Sequence, residues 1–153
     1  MNMAQELLQQ FPSIMSFPMH WGDQDALGHV NNIIYMRWAE TSRIQYLTET
    51  GAWDGSPIKT SGPILAAISC DFRLPLTFPD TVYAGASVVG LGNSSFRMIH
   101  RIVSGRHGAI AADLDSTLVW LDDSAGKPVP LPLRLRAAIE KFEGKPLPRG
   151  VRR

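Results

Sequence analysis

MHWGDQDALGHVNNIIYMRWAETSR, residues 19–43, is the stretch that decides the fold of this 153-residue chain. It opens as a loop rich in Gly, Asp and Asn, and Asn31 or Asn32 can cap the helix that follows. The pattern predicts that this helix runs from Asn32 to Glu49 and stops at Gly51. Its first half, IIYMRWA, is apolar on nearly every side, which is typical of a buried helix.

The segments on either side of this helix have the alternating pattern of strands. Residues 14–21 predict a first strand with one apolar face, formed by Met15, Phe17, Met19 and Trp21. Pro18 cannot donate a hydrogen bond to a neighbouring strand, so this strand is expected at an edge or with a bulge. A loop is predicted at 52–62. Residues 63–74 then predict a strand with one shared face, formed by Ile64, Ala66, Ile68, Cys70, Phe72 and Leu74.

Three more strands are predicted at 81–91, 94–104 and 108–121, and a terminal helix at 131–142. The short turns between these strands are typical of antiparallel hairpins. The order of elements predicts one α+β domain over residues 1–153, in which an antiparallel sheet packs against one long helix. The core is expected over about 14–143, and residues 144–153 are expected to form a flexible basic tail.

The composition excludes several classes of protein. A net charge of +1 gives no global field for nucleic acid, and no apolar run is long enough for membrane insertion. One cysteine, Cys70, gives no internal disulfide, and the N-terminus lacks a signal peptide, so a cytoplasmic location is expected. Residues 96–153 carry eleven Lys/Arg against six Asp/Glu. That excess is either a surface for an anionic ligand or ordinary solvated charge.

The loop before the helix holds the densest group of polar side chains: Asp23, Asp25, His29, Asn31 and Asn32. A carboxylate beside a helix N-terminus can act as a base or nucleophile on a carbonyl that the terminal amides polarise. The same residue types are also those of ordinary turns and helix caps, and composition alone leaves both interpretations open.

Other polar groups allow fewer functions. His29 has no neighbours at metal-ligand spacing, and no dinucleotide-binding or phosphate-binding Gly-rich motif occurs. Glu40 and Arg43 are three residues apart, which is typical of a side-chain pair on one helix face, with a catalytic Glu40 as the alternative. Ser94 and Ser95 lie in a polar turn. Turn formation alone accounts for these residue types, and a hydrogen bond to the substrate is the alternative.

Residues 19–43 closely resemble the opening motif of the 4-hydroxybenzoyl-CoA thioesterase family. The family pattern of an aromatic residue, Gly-Asp, any residue and Asp, then Gly and Asn before a helix, is matched by Trp21, Gly22, Asp23, Asp25, Gly28 and Asn32. The stretch DFRLPLTFPDTVYAGASVVGLGNSSFRM and the closing VWLDDSAGKPVPLPLRLRAAI also resemble that family, so the resemblance spans about residues 15–143. Positions 29–32 read His-Val-Asn-Asn, which is more similar to its long-chain and general acyl-CoA branch.

The resemblance implies a hotdog fold and hydrolysis of acyl-CoA to a carboxylic acid and CoA, without a metal or other cofactor. It implies that Asp25 is the catalytic carboxylate and that the backbone amide at Asn32 polarises the thioester carbonyl. Residues expected to contact the substrate are Gly28, His29, Asn31, Ser94 and Ser95, with Arg97, Arg101 and Arg106 on the CoA phosphates. It also implies a homodimer or homotetramer. The alternatives are a non-catalytic domain that binds acyl thioesters and a hotdog hydratase or dehydratase.

Overall fold

A curled antiparallel sheet packs against one side of a long helix in the computed structural model, which describes residues 2–53 and 61–150. Within these residues the helices are α1 (Met3–Leu7), α2 (Asn32–Glu49) and α3 (Leu133–Glu143). The strands are β1 (Ser13–Pro18), β2 (Ser61–Phe72), β3 (Thr81–Leu91), β4 (Ser95–Ser104), β5 (Ala109–Asp122) and β6 (Lys127–Pro128). The sheet has the order β1-β3-β4-β5-β2, and β6 pairs with β5. The predicted α+β class is confirmed.

Helix α2 has the bounds that the sequence predicts, because local signals set both of its ends. Asn31 is the N-cap, and its Oδ1 accepts a hydrogen bond from the Ile33 amide at 3.0 Å. The helix ends at Glu49, and Gly51 follows with a φ of 77°, a left-handed conformation that glycine adopts without strain.

The core lies between α2 and the concave face of the sheet. The first half of α2 packs through Tyr35, Trp38 and Ala39 against buried side chains of β3, β4 and β5. Its second half packs through Tyr46 and Leu47 against the other end of the sheet and against α3. The helix therefore lies along the whole length of the sheet.

One face of α2 is nevertheless exposed in the single chain. Ile33 is 65% exposed and Ile44 is 40% exposed, and Arg37 and Glu40 lie between them. The burial predicted for the first half of α2 from its apolar sequence is therefore wrong for the side of Ile33 in the single chain. The sheet of one chain covers only the opposite side of the helix.

The first strand is shorter than predicted. β1 ends at Pro18, and Trp21 begins a single 3₁₀ turn, so the predicted bounds of 14–21 are wrong at the C-terminal end. Trp21 is 73% exposed, and its ring contacts Phe78 edge-on with centroids 5.7 Å apart. β1 pairs with β3 alone, so the edge position predicted from Pro18 is confirmed.

A bulge in β2 changes which side chains share a face. Leu65 pairs with Leu118, and Ala67 pairs with Thr117, so Ala66 is an extra residue in the strand. The extra residue reverses the alternation, and Ile64 therefore faces away from the core side on which Ile68 packs. The predicted single apolar face from residue 64 to residue 74 is wrong for this reason.

The C-terminal region consists of α3 and the residues that follow it, and the start of α3 differs from the prediction. α3 begins at Leu133 instead of 131, because Leu131 precedes Pro132 and the residue before a proline is disfavoured in the helical conformation. Residues 148–150 run beside β3, where the Leu91 amide donates to the Pro148 carbonyl at 3.0 Å. These contacts join the described part of the predicted tail 144–153 to Leu91, and the flexibility of the tail stays a prediction. Residues 151–153 lie outside the described residues, as do residues 54–60 of the predicted loop.

Glu143 at the end of α3 joins three elements. Its carboxylate accepts hydrogen bonds from the Tyr46 hydroxyl at 2.6 Å, the Ser87 hydroxyl at 3.0 Å and the Val88 amide at 2.7 Å. Burial, followed by the hydrogen bond to Glu143, raises the pKa of Tyr46 above its usual range. The contact fixes α3 against α2 and β3.

Replacing Glu143 with Ala should therefore lower the free energy of unfolding by about 1–3 kcal/mol, because three buried donors lose their acceptor. Urea denaturation measures this change. Lys141→Ala, at an exposed position of the same helix, is the control and should shift stability by less than about 0.5 kcal/mol. Equal effects of the two substitutions would contradict an anchoring role for Glu143.

Candidate active site

The loop between β1 and α2 folds back on itself around Asp25. The Asp25 amide donates to the His29 carbonyl at 3.0 Å, and the Gly28 amide donates to the Asp25 carbonyl at 3.0 Å. Gly28 has a φ of 84°, which residues with a side chain rarely adopt, so the turn depends on glycine here. The turn places the Asp25 side chain beside the start of α2.

The Asp25 carboxylate is exposed, and both of its oxygens are oriented by short contacts. Oδ1 accepts from the Leu27 amide at 2.9 Å, and Oδ2 accepts from the Asn31 side-chain amide at 3.2 Å. An ionised carboxylate has about four lone-pair sites, so acceptor capacity is left after these two bonds. In the described part of the chain Asp25 forms no ion pair with a cationic side chain.

Asn31 connects this carboxylate to the helix terminus. Its Oδ1 caps α2 at Ile33, while its Nδ2 holds Asp25, so one side chain sets the position of both. Asn32 is the first residue of the helix, and among the described residues its backbone N–H has no acceptor. A free amide at the positive end of an 18-residue helix suits a carbonyl oxygen that gains negative charge.

Asp23 differs from Asp25 in each of these respects. It is 5% exposed, its Oδ1 accepts from Arg37 at 3.0 Å, and its Oδ2 accepts from the His20 amide at 2.8 Å. Its carbonyl accepts from the Asn31 amide at 2.9 Å. These contacts hold the loop in place and leave Asp23 little freedom to meet a substrate.

A cavity of about 270 Å³ lies at the start of α2, and His29, Asn32, Tyr35, Phe72 and Arg73 line part of it. The Tyr35 hydroxyl donates to the Leu74 carbonyl at 3.3 Å, and burial raises the pKa of Tyr35 to about 12. Sequence reasoning missed Tyr35, Phe72 and Arg73 as site residues, because β2 meets α2 only after the sheet curls.

Ser94 and Ser95 do not meet Asp25 within one chain. The loop that carries Asp25 follows Pro18, which pairs with Thr81 at the start of β3. Ser94 and Ser95 follow the end of β3, where their carbonyls accept from the amides of Trp120 and Gly92, both at 2.7 Å. The 11 residues of β3 therefore separate the two serines from the loop.

Arg97 and Arg101 lie on the convex face of the sheet, on the side opposite α2. Their neighbours on β4 that alternate with them, such as Met98 and Ile102, are buried against the core. Arg97 forms a two-point contact with Asp115, with Nε 2.9 Å from Oδ1, and Arg101 Nε lies 2.8 Å from Asp113 Oδ1. Both guanidinium groups thus have a carboxylate partner and are not brought together with Asp25.

Arg106 lies in the turn between β4 and β5. Its backbone amide donates to Asp80 Oδ1 at 2.9 Å, and the residue is exposed. No side-chain partner of Arg106 is present in the described part of the chain. This turn and the Asp25 loop are at the same end of the sheet, because Ser104 pairs with Val82 near the start of β3.

A second polar group is buried under α2. His100 on β4 is 1% exposed, and its Nδ1 lies 3.0 Å from the Ser42 hydroxyl. Arg43 is 5% exposed, and its Nε and Nη2 have no hydrogen-bond partner in the described structure, nor does His100 Nε2. Burial, together with the nearby charge of Arg43, lowers the pKa of His100 to about 3.

Two further classes of feature are absent from residues 2–53 and 61–150. No group of three or more His, Cys, Asp or Glu side chains converges there in a way that could hold a metal ion. No helix in this part of the chain is both long and apolar enough to cross a membrane.

Comparison with known proteins identifies the family of the chain. Residues 19–139 match the model of the thioesterase-like superfamily. No curated protein sequence matches the chain. Many solved structures are similar, and their shared architecture confirms the hotdog fold predicted from the motif.

Three of these solved structures resemble the chain over most of its length. A thioesterase from Thermus thermophilus, complexed with coenzyme A and Zn, is 34% identical, with a TM-score of 0.79 over 91% of this chain and 99% of that chain. A putative thioesterase from Pseudomonas aeruginosa is 27% identical, with a TM-score of 0.76 over 84% and 98%. A gentisyl-coenzyme A thioesterase is 27% identical, with a TM-score of 0.71 over 82% and 98%.

The double role of Asn31 can be separated by two substitutions. Asn31→Ala removes the cap of α2 and should lower the free energy of unfolding by about 1 kcal/mol. Asn31→Ser keeps a capping oxygen but is too short to reach Asp25, so its stability should stay close to that of the wild type. Thermal unfolding of both variants measures the difference, and an equal loss in the two would show that the cap at Ile33 does not stabilise the helix.

Proposed function

We propose an acyl-CoA thioesterase activity, on the premise that the chain belongs to the thioesterase-like superfamily, whose model matches residues 19–139. The observation that carries the proposal is the link from Asp25 through the Asn31 side chain to the first turn of α2. The link holds an exposed carboxylate beside a helix amide that has no acceptor in the described structure. A base or nucleophile and a donor to the carbonyl oxygen are two groups that accelerate acyl transfer to water.

Asp25 is the proposed catalytic carboxylate. Acting as a base, it removes a proton from water while the water oxygen bonds to the thioester carbon; the C–S bond then breaks, and the proton passes to the CoA thiolate. Acting as a nucleophile, it forms a mixed anhydride with loss of CoA, and water then cleaves the anhydride to the acid. The spare acceptor capacity of the carboxylate supports either role.

The backbone N–H of Asn32 is the proposed donor to the thioester carbonyl oxygen. Charge develops on that oxygen when the carbon is attacked, and a fixed donor at a helix terminus stabilises it without reorganisation. His29 and Gly28 shape the turn beside it, and the cavity lined by Tyr35 and Phe72 would receive the thioester group.

Coenzyme A is the proposed carrier of the acyl group. The Thermus thermophilus relative binds coenzyme A, and the gentisyl-coenzyme A thioesterase is named for such a substrate. Of the three arginines predicted to bind phosphates, Arg106 is the favoured candidate, because Arg97 and Arg101 already pair with aspartates. Arg73 at the mouth of the cavity joins it, although its Nε contacts Asp113 at 3.0 Å.

A second copy of the chain is proposed to complete the site. Among the described residues β2 pairs with β5 alone, so the other edge of this 12-residue strand has no partner there, and Ile64 and Leu65 are 44% and 42% exposed. Antiparallel pairing of two β2 edges about a twofold axis puts the Ser61 end of one chain beside the Phe72 end of the other. The turn at Ser94 and Ser95 of the partner would thereby approach Asp25.

Asp25→Asn should reduce turnover of acyl-CoA by about two orders of magnitude or more, because the amide keeps the shape but cannot act as base or nucleophile. Thiol release from a panel of acyl-CoA chain lengths measures the loss and also identifies the preferred acyl group. Binding of acyl-CoA and thermal stability should change little, since the exposed side chain carries few structural contacts.

Asp23→Asn is the matched control in the same loop. Because Asp23 is buried and paired with Arg37, its substitution should lower the free energy of unfolding. It should reduce turnover of acyl-CoA much less than Asp25→Asn does. More than about a tenth of wild-type activity in Asp25→Asn, or a larger loss in Asp23→Asn, would show that Asp25 is not the catalytic group. Binding of acyl-CoA by the wild-type protein without any turnover would favour a non-catalytic thioester-binding domain.

Mixing two variants of reduced activity tests whether one site uses two chains. Ser94→Ala/Ser95→Ala should lower activity about tenfold or more if the partner's serines contact the substrate. A refolded equal mixture with Asp25→Asn should then recover about a quarter of wild-type activity, since half of the dimers are mixed and each has one intact site. No recovery, or full activity of the serine variant alone, would contradict a shared site, as would a monomeric mass in light scattering.

A further inference from the structure

The guanidinium group of Arg43 is an anomaly in the single chain. The residue is 5% exposed, its Nε and Nη2 have no acceptor, and no carboxylate in the described residues forms an ion pair with it. Burying a cation without a partner costs several kcal/mol. Buried polar groups in native proteins nearly always have a partner, so this one calls for an explanation.

Arg43 lies in a groove between α2 and the edge strand β2. The groove has a volume of about 270 Å³, and its wall combines apolar residues with three charged ones: Ile33, Met36, Leu65 and Ile68 with Arg37, Glu40 and Arg43. Arg37 already pairs with Asp23. Glu40 is exposed and stands three residues before Arg43, yet the two form no ion pair within the chain's described residues.

The position of this groove coincides with the axis of the proposed dimer. Leu65 and Ile68 flank the midpoint of β2, which runs from Ser61 to Phe72. Glu40 and Arg43 flank the middle of α2, which runs from Asn32 to Glu49. A twofold axis through the middle of the β2 pair therefore passes close to Glu40 and Arg43, and it makes the two copies of α2 antiparallel.

We propose that Glu40 of each chain forms an ion pair with Arg43 of a second copy, so that four side chains make a neutral set at the dimer axis. The inference rests on the proposed pairing of two copies. The contact is isologous, so both ion pairs form together: Glu40 of each chain meets Arg43 of the other chain. Closure over Ile33 and Ile44 would also cover Glu40, and only a neutral set makes burial of both charges tolerable.

The first test uses Glu40→Gln, at a position that is exposed in the single chain and so does not endanger its fold. Loss of one partner from each of two desolvated pairs should weaken dimerisation by on the order of 100-fold or more in Kd, measured by sedimentation at several concentrations. Glu49→Gln, an exposed carboxylate at the end of the same helix, is the matched control and should leave Kd unchanged. An unchanged Kd for Glu40→Gln would overturn the proposal.

The second test distinguishes pairing between chains from pairing within one chain. Glu40→Arg carries two cations at these positions and Arg43→Glu carries two anions, so each variant alone should repel its own copy and sediment as a folded monomer. An equal mixture should form dimers with wild-type affinity, because each cation then meets an anion of the other chain. Failure of the mixture to associate would overturn the proposal, provided circular dichroism shows both variants folded.

Arg43→Met separates the dimer contact from a role in substrate recognition. The proposal expects a weakened dimer and a loss of activity that higher protein concentration reverses. A dimer of unchanged Kd that fails only with particular acyl groups would place Arg43 in the acyl site and overturn the proposal. Sedimentation needs no turnover, so the result stands apart from the outcome of the thioesterase assays.

Discussion

The capping of α2 by Asn31 is the interaction on which both the fold and the candidate site depend. A helix N-terminus leaves amides without partners, and Asn31 satisfies the Ile33 amide while its other side-chain atom holds Asp25. The backbone N–H of Asn31 in turn donates a hydrogen bond to the Asp23 carbonyl oxygen. The place where the helix begins is therefore also the place where a carboxylate is brought beside the Asn32 N–H, which has no acceptor among the residues that the structure describes.

The features that could be predicted from the sequence are those with local causes. The bounds of α2 follow from a cap and a glycine at its ends, and the strands β3, β4 and β5 follow from alternation between short turns. The wrong predictions involve contacts between distant segments. The bulge at Ala66 depends on pairing with β5, and the exposed face at Ile33 depends on how far the sheet of one chain reaches. No local sequence signal indicates either the bulge or the exposed face.

The same division applies to the candidate site. The loop motif singled out Asp25, and the structure gives a physical basis for preferring it to Asp23, which is buried and paired with Arg37. The excess of cations in the second half of the chain pointed to Arg97 and Arg101 as phosphate ligands. Strand pairing places Asp115 and Asp113 beside these two arginines, and their contact with phosphate stays a prediction. A count of charges along the chain contains no information on which strands become neighbours.

A single chain leaves the proposed chemistry open to water. Asp25 is exposed, and within residues 2–53 and 61–150 the groove along α2 has no wall beyond the edge of β2. Electrostatic stabilisation of a developing oxyanion is stronger where water is excluded, so a second copy that covers this groove would strengthen the Asn32 contact as well as bury Ile33 and Ile44. Burial of that surface is possible only if the charges at Glu40 and Arg43 cancel, because an unpaired ion costs more than the neighbouring isoleucines gain. Both the ion pairs at the axis and the catalytic groups at the helix terminus therefore depend on one constraint. The helix must be enclosed by the sheets of two chains, because only then do the charges at Glu40 and Arg43 pair and only then is water excluded from Asp25 and Asn32.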